Sequence, residues 1–271
     1  MKVHLLNCAT MKAHTMVAVC LLIETELGVV LVDTALGQWC HDHPEKAYGK
    51  PFVKIAKPIL DPSEYVVNRL PGLGYKVGDV RHIVMTHLDV DHTGGLADFP
   101  QARVHVHTDE FHASQARQTW MNKMRYKPEH WKYNPEWVLH EVDTGGKWFG
   151  FDAAPLFPDM PDLLMVRLRG HSEGHIGVAV KLDGSHHPKW VFHTGDAFMS
   201  PSELDPQKPK TPLMIKLSPA HGWGLYAGFH ETQARIRDIH HTHSDEVIVV
   251  NSHSSMLFDR GCVSVLGTSA S

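Results

Sequence analysis

Thr86-His87-Leu88-Asp89-Val90-Asp91-His92-Thr93-Gly94-Gly95 is the stretch whose reading decides the fold. It follows the apolar run Ile83-Val84-Met85, which reads as a buried strand, and it closes on a glycine pair, which reads as a sharp loop. Side chains alternate faces along an extended segment, so His87, Asp89 and Asp91 project to one side, and His92 joins them as the chain turns. Two imidazoles and two carboxylates within residues 87–92 carry a large desolvation cost at the end of a buried strand unless a cation offsets it. A divalent metal is such a cation, and this mix of nitrogen and oxygen donors suits zinc, iron or manganese.

The rest of the composition sets bounds. A chain of 271 residues, 42% hydrophobic and 21% charged, fits one large soluble α/β domain, residues 1–271. The net charge of −4 offers nothing that attracts nucleic acid or an anionic membrane, so the expected partner is a small molecule. The 23 His are the compositional oddity. Cys8, Cys20, Cys40 and Cys262 are scattered without a Cys-x-x-Cys pair, the pattern of free thiols in a reducing compartment. The start shows no basic segment followed by a long apolar run, and no stretch approaches membrane-spanning length; the expected compartment is the cytoplasm.

In chain order, Val17 to Ile23 and Val29 to Val32 predict a β-hairpin in a sheet core, ended by Asp33, which either caps the next turn or supports a metal ligand. Residues 35–60 lack periodicity and predict a long irregular insertion. Asp61, Pro62 and Gly72 bracket a short helix over Pro62 to Leu70. Arg103 to His107 predicts a strand whose His105 and His107 share a solvent-facing side. A helix over Asp109 to Arg125, capped by Thr108, follows. A second insertion, 120–160, holds four of the seven Trp and reads as core packing first, with a pocket wall or dimer contact as other uses of a cap near the site. Strands are predicted over Leu164 to Leu168, Gly177 to Leu182 and Trp190 to Phe192. Pro201 to Pro219 reads as an exposed loop, Gly228 to His243 as a helix whose terminal His240, His241 and His243 are structural or surface groups, and Val247 to Val250 as a terminal strand.

Three later sites repeat the opening pattern of a strand followed by a ligand-type residue: Gly170-His171-Ser172-Glu173-Gly174-His175, His193-Thr194-Gly195-Asp196 and Asn251-Ser252-His253-Ser254. Strand ends are where α/β folds gather their active sites. Together with the Gly28 to Ala35 hairpin (Gly-x-x-Leu-Val-Asp-Thr-Ala), these motifs resemble the metallo-β-lactamase superfamily of binuclear hydrolases, in order and across most of the chain. Within it the chain is most similar to the N-acyl homoserine lactonase-like branch and its organophosphate-hydrolase relatives. The resemblance implies an α/β fold, a four-layer αββα sandwich of two mixed sheets packed face to face with helices outside. It implies two divalent ions per chain, zinc first, with iron or manganese as alternatives. His87, Asp89 and His171 would hold the first ion, Asp91, His92 and His253 the second, and Asp196 would bridge them, while His175 supports the loop. A hydroxide bridging the metals would attack a small ester, lactone or related electrophile, with Asp91 as the catalytic carboxylate that orients the nucleophile or takes its proton. A homodimer is also consistent with the apolar cap.

Two departures from the family pattern matter. Asp89 stands where the family usually carries His, adding a third carboxylate and tilting preference toward harder ions. Flavin-linked di-iron oxygen reductases of the superfamily carry an acidic residue there, so a di-iron redox or oxygen-handling protein is the alternative reading, and a non-catalytic ligand-binding member a third. After Asp196 the chain reads Ala197-Phe198-Met199, without the Tyr that homoserine lactonases usually have; Phe198 and Met199 are instead expected as an apolar pocket floor.

Overall fold

Side chains alternate between the two faces of a strand, and strand β2 (Met16–Thr25) shows how this chain fills both with apolar groups. Val17, Val19, Leu21 and Ile23 point to one side and Ala18, Cys20 and Leu22 to the other, and both sides are buried. A strand covered on both faces reads as a continuous apolar run, which is what made this hairpin legible. The computed structural model describes residues 1–11, 16–184, 188–216, 226–254 and 263–266.

The first sheet has the order β13-β1-β2-β3-β4-β5-β6, with β1 Lys2–Met11, β3 Gly28–Val32, β4 Val80–Val84, β5 Arg103–His107, β6 Glu136–His140 and β13 Val263–Leu266. β2 and β3 pair antiparallel, as the hairpin requires, and β3 to β6 run parallel. The second sheet has the order β12-β11-β10-β9-β8-β7, with β7 Lys147–Trp148, β8 Phe151–Pro155, β9 Leu163–Arg167, β10 Ile176–Lys181, β11 Trp190–His193 and β12 Val247–Val250. Leu5, Leu21, Val30 and Val84 of the first sheet meet Met165, Val178, Val191 and Val250 of the second, forming the central core. The opposite face of the first sheet packs on Tyr48, Tyr65, Leu70 and Tyr126; that of the second packs on Ile236 and Ile239 of the helix Phe229–Thr242. The result is the expected αββα sandwich. Each fully buried side chain of these layers contributes about 1.5–3 kcal/mol.

Several expectations need correction. The 35–60 segment is not an irregular loop: it winds into helices Gln38–His41, Pro44–Tyr48 and Lys50–Ala56, and buries Cys40, Ala47 and Tyr48 under the first sheet. The helix expected over 62–70 breaks into a 3-10 turn, Pro62–Glu64, capped by Asp61 through Ser63 N–H, and a short helix Val66–Arg69. The helix expected over 109–125 stops at Ala116, where Arg117 turns left-handed (φ 41°), and restarts as Trp120–Arg125 capped by Thr119; the cap of the first piece is His107, not Thr108. β1 was hidden because His4, Asn7 and Thr10 interrupt its apolar run; Glu24 and Glu64 satisfy His4 and Thr10, and Asn7 bonds Thr10. Val247–Val250 is not terminal, since β13 follows and pairs with β1. Of the aromatic residues in 120–160, Tyr126, Trp131 and Trp148 are core, and Trp120 stands 64% exposed. Cys8, Cys20 and Cys40 are free thiols; Cys262 lies outside the described residues. His241 bonds the Leu204 carbonyl and His243 pairs with Glu246, the structural uses expected of them.

His105 and His107 are buried rather than solvent-facing. His105 sits mid-ladder, 2.8 Å from His82 Nδ1 and 2.8 Å from His140 Nε2. A neutral imidazole has one donor and one acceptor, so a neutral His105 donates to one of these rings and accepts from the other. Burial, then its His140 and His82 neighbours, push its pKa down to about 3. The unfolded chain takes up that proton near pH 6.5, so its stability contribution is intact above that pH and is lost as pH falls from about 6.5 toward 3. At about 1.4 kcal/mol per unit, His105 alone costs about 2–3 kcal/mol of stability between pH 6.5 and 4.5. Urea melts of chelator-treated protein at pH 7 and 4.5 should show His105→Gln losing less stability on acidification than wild type; parallel losses would refute the assignment.

Candidate metal centre

The parallel pairing of β3 with β4 places the two strand ends side by side, with Asp33 N–H bonded to the Val84 carbonyl. Asp33, itself left-handed at φ 59°, does not cap a turn: it accepts the backbone N–H of Thr86 (2.8 Å), the Thr86 hydroxyl (2.7 Å) and His92 Nδ1–H (2.9 Å). Of its two readings capping is excluded, and what Asp33 does is hold Thr86 and the His92 ring in place. Beyond it the chain coils through the short helix Val90–Thr93, with Thr93 Oγ–H on the Asp89 carbonyl. The glycine pair allows this coil to press on β3, because a Cβ at Gly94 or Gly95 would lie 2.7 Å from the Ala35 carbonyl or 2.6 Å from that of Thr34.

All seven residues expected as ligands converge. His87, Asp89 and His171 offer ligand atoms within 4.8 Å of one another, and so do Asp91, His92 and His253. Asp196 joins His87 and His92 in a third such group, and its Oδ2 also lies 3.7 Å from His171 Nε2 and 3.1 Å from His253 Nε2. It thus reaches toward both halves of the site.

The hydrogen bonds behind the rings fix which nitrogen faces inward. The Thr86 hydroxyl gives its proton to Asp33, so its oxygen accepts His87 Nδ1–H (2.9 Å). His92 Nδ1–H goes to Asp33, and His253 Nδ1–H to the Val17 carbonyl (2.8 Å). In its neutral form each ring then presents a bare Nε2 to the centre, as metal-binding imidazoles do when a hydrogen bond holds their other nitrogen. His87 Nε2, His92 Nε2 and Asp196 Oδ1 are buried without a hydrogen-bond partner. Buried polar atoms are rarely left so, and here they are the atoms a metal ion would bind. The residues present fit a pair of divalent ions.

Charge tells the same story. Burial raises the Asp196 carboxyl, but His253 and His92 hold it well below the usual range. Burial lowers His92, yet Asp196 and Asp33 push it well above its ordinary value.

Two residues of the site were not anticipated. Arg125 grips Asp89 with Nε on Oδ1 (2.7 Å) and Nη2 on Oδ2 (3.0 Å), and donates Nη1–H to the His171 carbonyl (2.8 Å). Glu110, in the first turn of the helix Thr108–Ala116, is fully buried and accepts Leu88 N–H, the Ser172 hydroxyl and Gly174 N–H, which ties the loops of His87 and His171 to one helix. His175 does support its loop: it donates to the Leu168 carbonyl and accepts Asp196 N–H at 3.0 Å. The apolar floor is not assembled as expected. Phe198 is buried with Leu204 and Ile236 between the second sheet and its helix, and Met199 is half-buried, its N–H on Glu203.

The metallo-beta-lactamase superfamily model matches residues 16–172. A probable metallo-hydrolase of Mycobacterium tuberculosis is 36% identical over 261 residues, covering 95% of this chain and 81% of its own. An N-acyl homoserine lactonase of Bacillus cereus is 25% identical over 167 residues, 61% of this chain and 59% of its own. Among solved structures, the B. thuringiensis lactonase AiiA with N-decanoyl-L-homoserine bound superposes with a TM-score of 0.66 at 19% identity over 94% of each chain.

Proposed function

The chain belongs to the metallo-beta-lactamase superfamily and is a metallo-hydrolase related to the lactonases, and from that premise we infer that it hydrolyses a small ester or lactone at a binuclear centre. The ligands are His87, Asp89 and His171 for one ion, Asp91, His92 and His253 for the other, and Asp196 between them. The observation that carries this reading is the trio of imidazoles locked with Nε2 inward around the unpartnered Asp196 oxygen. Two divalent ions at such a site supply a hydroxide nucleophile near neutral pH and Lewis acidity at the departing oxygen.

The protein's own share is orientation and proton handling. Asp33 and Thr86 fix the tautomers of His92 and His87, and Asp91, whose Oδ2 lies 3.7 Å from His253 Nε2, is the carboxylate placed to take a proton from the nucleophile. Zinc is the metal of first choice for four imidazoles with carboxylates. After Asp196 the chain reads Ala197-Phe198-Met199, without the Tyr that the lactonases usually carry shortly after the bridging Asp, which favours small esters and simple lactones over acyl-homoserine lactones. Among the described residues no helix is long and apolar enough to cross a membrane. Turnover of a panel of lactones and aryl esters, with and without chelator, tests the reading. The expected result is hydrolysis abolished by the chelator and restored by zinc; absence of chelator-sensitive turnover across the panel would overturn it.

A further inference from the structure

Asp89 poses a problem of charge. It brings a third carboxylate to a ligand set that ordinarily has two, and it is buried. We propose that Arg125 is a positioning residue that makes Asp89 a charge-balanced ligand of the first ion, so that residues 89 and 125 act as one unit. The inference rests on the binuclear reading above and extends it to a residue outside the ligand set.

Geometry divides the Asp89 carboxylate into two ends. Oδ1 is taken by Arg125 Nε at 2.7 Å, while Oδ2 receives Arg125 Nη2 at 3.0 Å and faces His171 Nε2 at 3.2 Å and His87 Nε2 at 3.5 Å. The grip on Oδ1 fixes the rotation of the carboxylate and aims Oδ2 at the two imidazoles with which it would share an ion. The third tie of the same guanidinium, Nη1 to the His171 carbonyl, sets the loop that brings in the other half of that group. A planar fork of five donors can do all three at once; an ammonium cannot. Arg125 is only 5% exposed, so water does little to screen its charge. One cation beside three carboxylates returns the site to the formal charge of a two-carboxylate set. The acidic residue at position 89 therefore does not leave the ions with less Lewis acidity than His would.

This pairing also predicts that the family residue cannot simply be restored. Asp89→His would leave Arg125 as a buried, unpaired cation beside two divalent ions. In zinc competition against a chromophoric chelator, Asp89→His is expected to weaken the first ion at least tenfold, and Asp89→His with Arg125→Met to regain at least tenfold over that single variant. Arg125→Lys, which keeps the charge and loses the fork, is expected to cost about tenfold. A crystal structure of the zinc-loaded wild-type chain should place Asp89 Oδ2 about 2.0–2.2 Å from an ion with Arg125 still on Oδ1. Two bound zinc ions with Asp89 turned away from both would overturn this inference alone, as would an Arg125→Lys variant with unchanged affinity or a double variant no better than the single. A wild-type chain that binds fewer than two zinc ions at saturation would overturn the binuclear reading beneath it.

Discussion

Asp196→Ala is expected to lower kcat/KM on the best substrate of the ester and lactone panel by at least ~10³-fold, a loss of about 4 kcal/mol of transition-state stabilisation, and to cut bound zinc to one ion or fewer per chain. The size follows from its position. Among the described residues Asp196 is the one carboxylate whose oxygens reach His87, His92, His171 and His253, at 3.9, 3.4, 3.7 and 3.1 Å. Removing it strips the negative charge that would let two cations sit close together and takes from four buried imidazoles the carboxylate they share. Its backbone is held independently, by His175 on Asp196 N–H and by the left-handed Gly195 before it, so the loop should keep its path in the variant. Asp196→Asn separates charge from shape: it should lose nearly as much zinc as Asp196→Ala while melting closer to wild type. Elemental analysis and steady-state kinetics on the same preparations check both. Retention of more than a tenth of kcat/KM with full zinc would show that Asp196 does not bridge.

The seven candidate ligands were legible in the sequence because they gather just past strand ends, where an α/β fold collects its active-site side chains. Ile83-Val84-Met85 before His87 is a fully buried run, and Val247 to Val250 before His253 is an apolar run buried at both its ends. The same signal marked the β2–β3 hairpin and the three central strands of the second sheet. It failed for β1, where polar residues satisfied by distant partners such as Glu64 broke the pattern. It also failed for the 35–60 segment, whose short helices are held by contacts with the first sheet rather than by any periodicity of their own. Arg125 was invisible for a different reason. It ends a six-residue helix as an unremarkable basic residue in a last turn, and only the fold brings it onto Asp89, 36 positions earlier. Yet the sequence did hold half of that contact. A third buried carboxylate among metal ligands demands a cation, and asking which basic residue supplies it would have been the right question.

Glu110→Ala should damage the enzyme almost as much as losing a ligand, although Glu110 is not expected to touch metal or substrate. Its Oε1 takes Leu88 N–H at 2.9 Å, inside the motif that carries His87 and Asp89; its Oε2 takes the Ser172 hydroxyl at 2.7 Å and Gly174 N–H at 2.9 Å, beside His171. One side chain thus clamps both ligand loops to the helix Thr108–Ala116. The fit is close enough that Gly174 cannot carry a side chain: its Cβ would lie 2.1 Å from Glu110 N. Truncation to Ala leaves three buried donors unsatisfied, each costing about 1–3 kcal/mol, and a cavity in addition. The expected sum is about 4 kcal/mol, which lowers Tm by roughly 10 °C for a chain of this size. Freed of their common tether, the loops should also hold the first ion more loosely, so zinc affinity falls together with Tm, and added zinc recovers part of the lost stability by mass action. Glu110→Gln is the sharper variant, because its amide must point a donor at one of the donors Glu110 now satisfies; it should keep the volume and still lose zinc affinity. Differential scanning calorimetry with and without zinc, beside chelator competition, measures both effects. A Glu110→Gln chain with wild-type Tm and wild-type zinc affinity would show that the two loops find their places without the clamp.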